Sequence, residues 1–254
     1  MKLPLSLVVI TRDEEKHLER CLKSVPFAQE IVILDSESKD RTREIALSFA
    51  ARFIEQPFLG FGPQKRKAVE ACSQDWVLCL DADEALSSEL QEEILQLFAK
   101  GPPEVSAFRL PRLSFYMGRW IYHGGWYPDY QIRLFDRRKA NWNTARLHEK
   151  VEVTGELSKL KSPIRHWVFD DLKDQVQTNN YYSTLGAEGL QARGKRFSIF
   201  KLVTKPIAKF LETYIWKRGF LDGLPGFIIA VGAAYSVFLK FSKLWELEQA
   251  RPKS

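Results

Sequence analysis

Apolar positions arrive along the first part of this chain in short dense runs, each closed by a cluster of polar residues. Leu5-Ser-Leu-Val-Val-Ile10 runs into Thr11-Arg-Asp-Glu-Glu15, Glu30-Ile-Val-Ile-Leu34 into Asp35-Ser-Glu-Ser-Lys-Asp40, and Trp76-Val-Leu-Cys-Leu80 into Asp81-Ala-Asp-Glu84. Short β-branched runs bounded in this way predict buried strands, and Arg52-Phe-Ile-Glu55 reads as a briefer one. Between them apolar residues recur at helical spacing: Leu18, Cys21 and Leu22 within 13–22, Ile45, Ala46 and Phe49 within 42–51, and a further helix over 64–72. Leu90, Ile94 and Leu97 mark a helix that Ser87 is placed to cap and Gly101-Pro-Pro to end.

Strands alternating with helices predict an α/β fold with a parallel sheet covered on both faces, and ligands of such sheets bind beyond the carboxyl ends of the strands. The polar clusters at 11–15, 35–40 and 81–84 should therefore converge on one sheet edge. After Pro103 the pattern becomes aromatic and mixed, and strands at 107–110, 131–135 and 150–153 are expected to extend the same sheet in mixed orientation.

The pattern changes again near residue 193, so residues 1–192 read as one domain and 193–254 as a helical tail. Lys201, Lys205 and Lys209 fall four apart on one helical face, with Phe200, Val203, Ile207, Phe210, Leu211 and Tyr214 elsewhere on it; Pro206 should bend or divide the helix. Leu224 to Leu239 is sixteen residues without a charge, short of the ~20 that a spanning helix needs. Lys217, Arg218, Lys240 and Lys243 flank both ends, so an interfacial or re-entrant segment is expected, with a buried helical hairpin as the plainer alternative.

Composition adds location to this picture. At 45% apolar and 28% charged residues over 254 positions, the chain is globular and not disordered. Its net charge of +6 is uneven: twelve Lys/Arg and four acids follow residue 192, leaving −2 for everything before. The basic character belongs to the tail, which suits an anionic partner, either a membrane surface, with Trp216 at the contact, or nucleic acid. Three cysteines without Cys-x-x-Cys spacing propose neither a disulfide framework nor a zinc site, and fit a reducing cytoplasm. The N-terminal apolar run passes into charged residues without a small-residue cleavage site, so it reads as a strand and not as a signal peptide.

Asp81-Ala-Asp83 is the strongest chemical signal. Two carboxylates one residue apart at the end of a buried strand can share a divalent cation that neutralises a diphosphate, although a solvated turn after a strand has the same look. Together with the runs at 8–15 and 31–42 and with Gly62-Pro-Gln-Lys-Arg66, this motif resembles the GT-A fold of family 2 inverting glycosyltransferases over about residues 4–170. Gly125-Trp-Tyr-Pro-Asp-Tyr-Gln-Ile-Arg-Leu-Phe135 and Leu147-His-Glu-Lys-Val151 are most similar to the lipopolysaccharide inner-core glucosyltransferases.

The resemblance implies a nucleotide-sugar donor, a UDP-sugar first of all, a divalent metal (Mg or Mn), a lipid-linked saccharide acceptor, and work at the cytoplasmic face of the inner membrane. By position, Thr11 and Glu14 would line the base pocket, Asp35 would bond uracil or ribose, Gln64, Lys65 or Arg66 would approach the diphosphate, and Asp81 and Asp83 would hold metal. Glu14 as a first-turn acid, Asp35 as a turn cap and 65–67 as a solvated helix face are the plain alternatives. Inversion needs a carboxylate to accept the acceptor hydroxyl proton. Asp129 is favoured over Glu149 for it, although the family's usual Glu-Asp pair is absent and Pro128 precedes. His148 comes before His166 as a third metal ligand. Trp120, Tyr122, Trp126, Tyr127 and Tyr130 form either an acceptor platform or an aromatic core.

Other classes fit less well. A nucleotidyltransferase should carry a glycine-rich basic loop after the first strand, and Thr11-Arg-Asp-Glu-Glu15 has no glycine. A dinucleotide oxidoreductase fails for want of Gly-x-Gly-x-x-Gly. A nucleic-acid-binding protein would spread its basic residues over the α/β part, which is net −2, so no nucleic-acid partner is expected.

Overall fold

The computed structural model describes residues 2–144 and 149–250. They form two compact units, 2–113 with 129–144 and 149–166, and 114–128 with 167–250.

In the first unit β1 (Leu3–Thr11), β2 (Ala28–Asp35), β3 (Arg52–Glu55) and β4 (Trp76–Asp81) are parallel, with β1 between β2 and β4. The sheet continues through β8 (Asp129–Asp136), β6 (Ala107–Tyr116), β12 (Ile164–Trp167) and β5 (Glu84–Leu86) in the order β3-β2-β1-β4-β8-β6-β12-β5, and β11 (Leu157–Lys159) adds to β6. β8 is antiparallel to β4 and to β6, as a mixed sheet requires.

Alternation along β1 sends Leu5, Leu7 and Val9 to one face and Val8 to the other. The first face packs against α1 (Leu18–Lys23), α2 (Thr42–Ser48) and α4 (Ser88–Leu97) through Leu18, Leu22, Ala46, Leu90 and Ile94. The second meets α3 (Phe61–Glu70) through Ala68 and Val69. Each such buried aliphatic side chain contributes roughly 1.5–3 kcal/mol, so the doubly covered sheet holds the strand ends that carry the site. Ser87 caps α4 as expected, its hydroxyl accepting from Leu90 N–H at 3.1 Å. Cys21, Cys72 and Cys79 are buried free thiols, and burial pushes Cys79 up to about 11.

Several expectations need correction. The helix expected from residue 13 begins at Leu18, because the preceding loop is tied elsewhere: Asp13 N–H donates to Ser38 Oγ, Glu14 N–H to Thr42 Oγ1 and Glu15 N–H to Asp40. Side-chain acceptors compete here with helical bonding and win. The strand expected at 150–153 does not extend the main sheet; β10 (Val151–Val153) pairs with β9 (Ala140–Trp142) in a separate two-stranded sheet.

In the second unit β7 (Arg119–Ile121) folds back on Ser114–Tyr116, and α5 (Leu172–Ala192), α6 (Ile199–Leu211) and α7 (Gly223–Gln249) pack together. Residues 114–128 and α5 therefore associate with the tail, so the compact unit begins well before 193. Tyr116 and Ile121 pack with Ile229, and the Tyr116 hydroxyl bonds to buried Gln175.

Pro206 does not divide α6, whose contacts along α7 support the turn that lacks its N–H. The irregular turns come later, at Glu212–Trp216 and Gly219–Asp222. The uncharged run 224–239 is part of a longer helix, since Lys240 and Lys243 do not end it; Lys243 Nζ donates to Asn180, Ser183 and Thr184 on α5. Residues 219–249 are long and apolar enough to cross a membrane by length and composition.

Candidate active site

The parallel strands bring the polar clusters to one edge. Thr11 is level with Asp35 across β1 and β2, and Ile10 is level with Asp81 across β1 and β4. Asp35 is 2% exposed and closely held: its Oδ1 accepts from Thr11 Oγ1 at 2.7 Å and from Ser38 Oγ at 2.5 Å, and its Oδ2 from Ser38 N–H at 2.8 Å. Glu14 Oε2 stands 3.2 Å from His17 Nδ1. Gln64 is fully buried, its amide donating to Ser36 Oγ at 3.1 Å and accepting from Leu59 N–H at 3.3 Å.

From Asp81 a chain of alternating charge runs through the site. Asp81 Oδ1 is 2.9 Å from Lys65 Nζ, and its Oδ2 bonds to Arg133 Nη2. Arg133 Nη2 also reaches Glu84 Oε1 at 2.8 Å, and the same oxygen is 3.3 Å from Arg112 Nη1. Arg112 continues to Asp129, with Nε at 3.0 Å and Nη2 at 2.7 Å from Oδ2, and Gln131 Nε2 donates to Asp129 Oδ1 at 2.8 Å. At the other end Lys65 Nζ lies 3.4 Å from Glu149 Oε1 and 4.7 Å above the Trp142 ring. Arg66 sits beside this chain, bonded to Glu70 and to the Trp142 carbonyl.

Burial alone would raise the Asp81 carboxyl, but the charges of Arg133 and Lys65 outweigh it and hold Asp81 well below the usual carboxylate range. Burial likewise works against the Arg133 guanidinium, and Asp81 and Glu84 overcome it, so its proton is held more tightly than usual. Glu84, with a fully buried side chain, is tolerable only because both arginines and the Asp81 N–H, at 3.0 Å, surround it.

Asp83 differs from Asp81. Its Oδ2 is 3.2 Å from His166 Nε2, while its Oδ1 is buried with no hydrogen-bond partner. The structure thus puts His166, the second choice on sequence grounds, against the Asp-x-Asp motif; His148 lies outside the described residues. Among the described residues no group of three or more His, Cys, Asp or Glu side chains is arranged to hold a metal ion by itself. The orphaned oxygen and the adjacent imidazole fit a divalent cation whose remaining ligands come with its substrate.

The aromatic residues divide between the two readings. Trp120 packs on Phe115 and Trp167, and Trp126 on Tyr116 and Phe169, whereas Tyr122 is 49% exposed and meets Tyr127 edge to face at 5.8 Å. Tyr130 is exposed, under Lys159 Nζ at 4.9 Å. Lys201 and Lys205 are exposed on α6, Lys209 pairs with Glu212 at 3.2 Å, and Trp216 is 73% exposed.

Arg112, Arg133 and Glu84 are the site residues that sequence reasoning missed. Arg133 had a signal: a charged residue at an inward position of the apolar strand 131–135 asks for a buried partner. Arg112 had none, since its partners lie 17 and 28 positions away.

A charged site at the carboxyl edge of a half-parallel sheet marks an α/β protein whose ligand sits where the strands end. Residues 6–153 match the model of glycosyl transferase family 2, and the chain belongs to that family; it is a glycosyltransferase of GT-A fold. It is 33% identical over 254 residues to an uncharacterized glycosyltransferase of Rickettsia typhi, covering 96% of this chain and 87% of that one. It is 32% identical over 265 residues to the lipopolysaccharide core biosynthesis glycosyltransferase LpsC of Rhizobium meliloti, covering 99% and 96%. Among solved structures it is similar to S. aureus TarS 1–349 in complex with UDP-GlcNAc, with a TM-score of 0.48 and 12% identity over 100% of this chain and 93% of that one.

Proposed function

We propose that this glycosyltransferase moves a hexose, glucose in the first instance, with inversion from a UDP-sugar to a lipid-linked saccharide such as the lipopolysaccharide inner core. The observation that carries the mechanism is the pairing of Asp129 with Arg112 on the same charged chain that passes through Asp81 of the Asp-x-Asp motif. As the acceptor oxygen bonds to the anomeric carbon, its proton passes to the Asp129 carboxylate, and the bond to the nucleotide diphosphate breaks with its electron pair. Arg112 and Gln131 fix the orientation of that carboxylate.

Asp83 and His166 would hold the divalent metal, which supplies neutralisation of the departing diphosphate. Asp81, engaged by Lys65 and Arg133, is not needed as a ligand in this reading; the two cations stand beside the Asp-x-Asp motif where a diphosphate would arrive. Thr11, Asp35 and Glu14 lie at the strand ends where the nucleoside would be seated.

The acceptor explains the second unit. Ile199, Val203, Ile207 and Leu211 make an exposed stripe on α6, and Leu224, Phe227, Val231, Tyr235 and Phe238 make another on α7. With Lys201, Lys205 and Trp216 they suit a peripheral or shallowly inserted seat on the anionic cytoplasmic leaflet. A thermal-shift and hydrolysis screen of nucleotide sugars with and without manganese or magnesium tests the donor. UDP-glucose should stabilise the protein only with metal, and no response to any nucleotide sugar would overturn the reading.

A further inference from the structure

Glu84 follows the Asp-x-Asp motif directly and opens β5, yet its side chain has no exposed surface. A carboxylate out of reach of water is costly unless its partners are fixed, and an apolar residue of similar volume is often no worse for stability. Stability alone therefore does not account for Glu84.

Its partners come from three strands of the first unit. Oε1 accepts from Arg133 Nη2 at 2.8 Å and lies 3.3 Å from Arg112 Nη1, while the Asp81 N–H donates to Oε2 at 3.0 Å and closes the turn of the motif. Arg133 reaches on to Asp81, and Arg112 to Asp129 through Nε and Nη2. In the main chain Glu84 is level with His166 across β5 and β12, and His166 meets Asp83.

The Arg112 guanidinium is thus held on two sides, Nε and Nη2 by Asp129 and Nη1 by Glu84. Burial and the charge of Arg133 work against its proton, and Glu84 with Asp129 outweighs them. Without the Glu84 charge the two guanidiniums would repel each other uncompensated, and the Arg112 fork would shift with Asp129 on it.

We propose that Glu84 is a positioning residue for sugar transfer: with one carboxylate it ties the Asp-x-Asp turn to Arg112, and thereby sets where Asp129 stands relative to the motif. This rests on Asp129 being the base.

The test uses the full chain with Glu84→Gln, Glu84→Asp, Arg112→Lys, the Glu84→Gln/Arg112→Lys double variant and Asp129→Asn. Transfer is followed with UDP-glucose and lipopolysaccharide truncated at the inner core. Binding of UDP with manganese is measured by calorimetry, and the Arg112 Nε–H signal by NMR, assigned through its loss in Arg112→Lys. Glu84→Gln keeps the shape without the charge and should lower kcat by about tenfold to a hundredfold, the scale of an ångström-level misplacement, with the UDP Kd within about threefold of the parent and the Arg112 signal shifted or broadened. Glu84→Asp keeps the charge but falls one methylene short of the guanidiniums, and should also lose about tenfold or more.

The double variant should be little worse than the poorer single one, because both changes release the same contact. Multiplying losses, a parent-like kcat in either Glu84 variant, or a UDP affinity that falls in step with kcat would each overturn the proposal. If Glu84→Gln does not fold, Glu84→Asp decides: lowered kcat with a changed Arg112 signal supports it, and parent values overturn it. An active Asp129→Asn enzyme would remove the base and the proposal with it, whereas an inactive one beside parent-like Glu84 variants sinks the proposal alone. If the parent transfers nothing, the donor and acceptor reading fails, and the Arg112 signal decides the positioning role: a change in Glu84→Gln supports it, and no change overturns it.

Discussion

Arg112 holds Asp129 with two nitrogens on one carboxylate oxygen, Nε at 3.0 Å and Nη2 at 2.7 Å. A lysine keeps the charge but not the planar fork. Arg112→Lys should therefore lower kcat about tenfold or more while the KM for donor stays within about threefold, the pattern of a contact that matters in the transition state. Steady-state kinetics at saturating acceptor checks this. A change confined to KM would mean that Arg112 serves binding and not the base.

Asp83→Asn and His166→Gln should each abolish the stabilisation that manganese adds to UDP binding, and leave the metal-free melting temperature within about 3 °C of the parent, because neither residue belongs to the apolar core. Differential scanning fluorimetry with UDP, with and without manganese, reads both quantities. Undiminished metal-dependent stabilisation in both variants would remove the metal from this pair.

Asp81 makes a prediction about stability and pH. Its folded-state carboxyl lies below the unfolded value, because Arg133 and Lys65 overcome the effect of burial. The resulting stabilisation is fully present above about pH 4, the unfolded value, and fades only as pH falls through the lower folded one. Asp81→Asn should cost about 2 kcal/mol, less than a fully enclosed pair because its side chain is 29% exposed. Urea unfolding should show that gap constant from pH 8 to 5 and closing only in stronger acid. A gap that vanished between pH 7 and 5 would contradict the ion-pair assignment.

If α6 seats on lipid as proposed, the pairing of Lys209 with Glu212 leaves Lys201 and Lys205 as the cations free to meet it. At roughly 1 kcal/mol for each basic residue near an anionic leaflet, Lys201→Glu with Lys205→Glu should weaken vesicle binding by at least about thirtyfold, and Lys209→Glu should add little. Phe200→Ser with Ile207→Ser should weaken it even in high salt, where charge is screened. Flotation with phosphatidylglycerol vesicles measures both. A parent protein that does not float would refute the membrane seat.

The first hundred residues were legible because a doubly covered sheet demands near-continuous apolar strands, and Val8, Val32 and Leu78 have no exposed face to disguise them. The convergence of Thr11, Asp35 and Asp81 follows from that topology and needed no long-range knowledge. What pairs with what did not follow. The link from Glu84 to Arg112 and the grip of Asp222 on His123 depend on contacts 28 and 99 positions apart, which no local period encodes. The same holds for residues 114–128, whose aromatic pattern reads as sheet or loop until the helices that cover Tyr116 and Trp126 are placed.

The central claim is that Asp129 takes the acceptor proton, and turnover of Asp129→Asn beside Glu149→Gln, with UDP affinity measured on the same preparations, tests it most directly. The amide keeps the contacts to Arg112 and Gln131 within reach but cannot accept the proton, so kcat should fall by about a thousandfold or more with UDP affinity nearly unchanged, and Glu149→Gln should retain activity. An active Asp129→Asn enzyme alongside an inactive Glu149→Gln enzyme would contradict the assignment and move the base to Glu149.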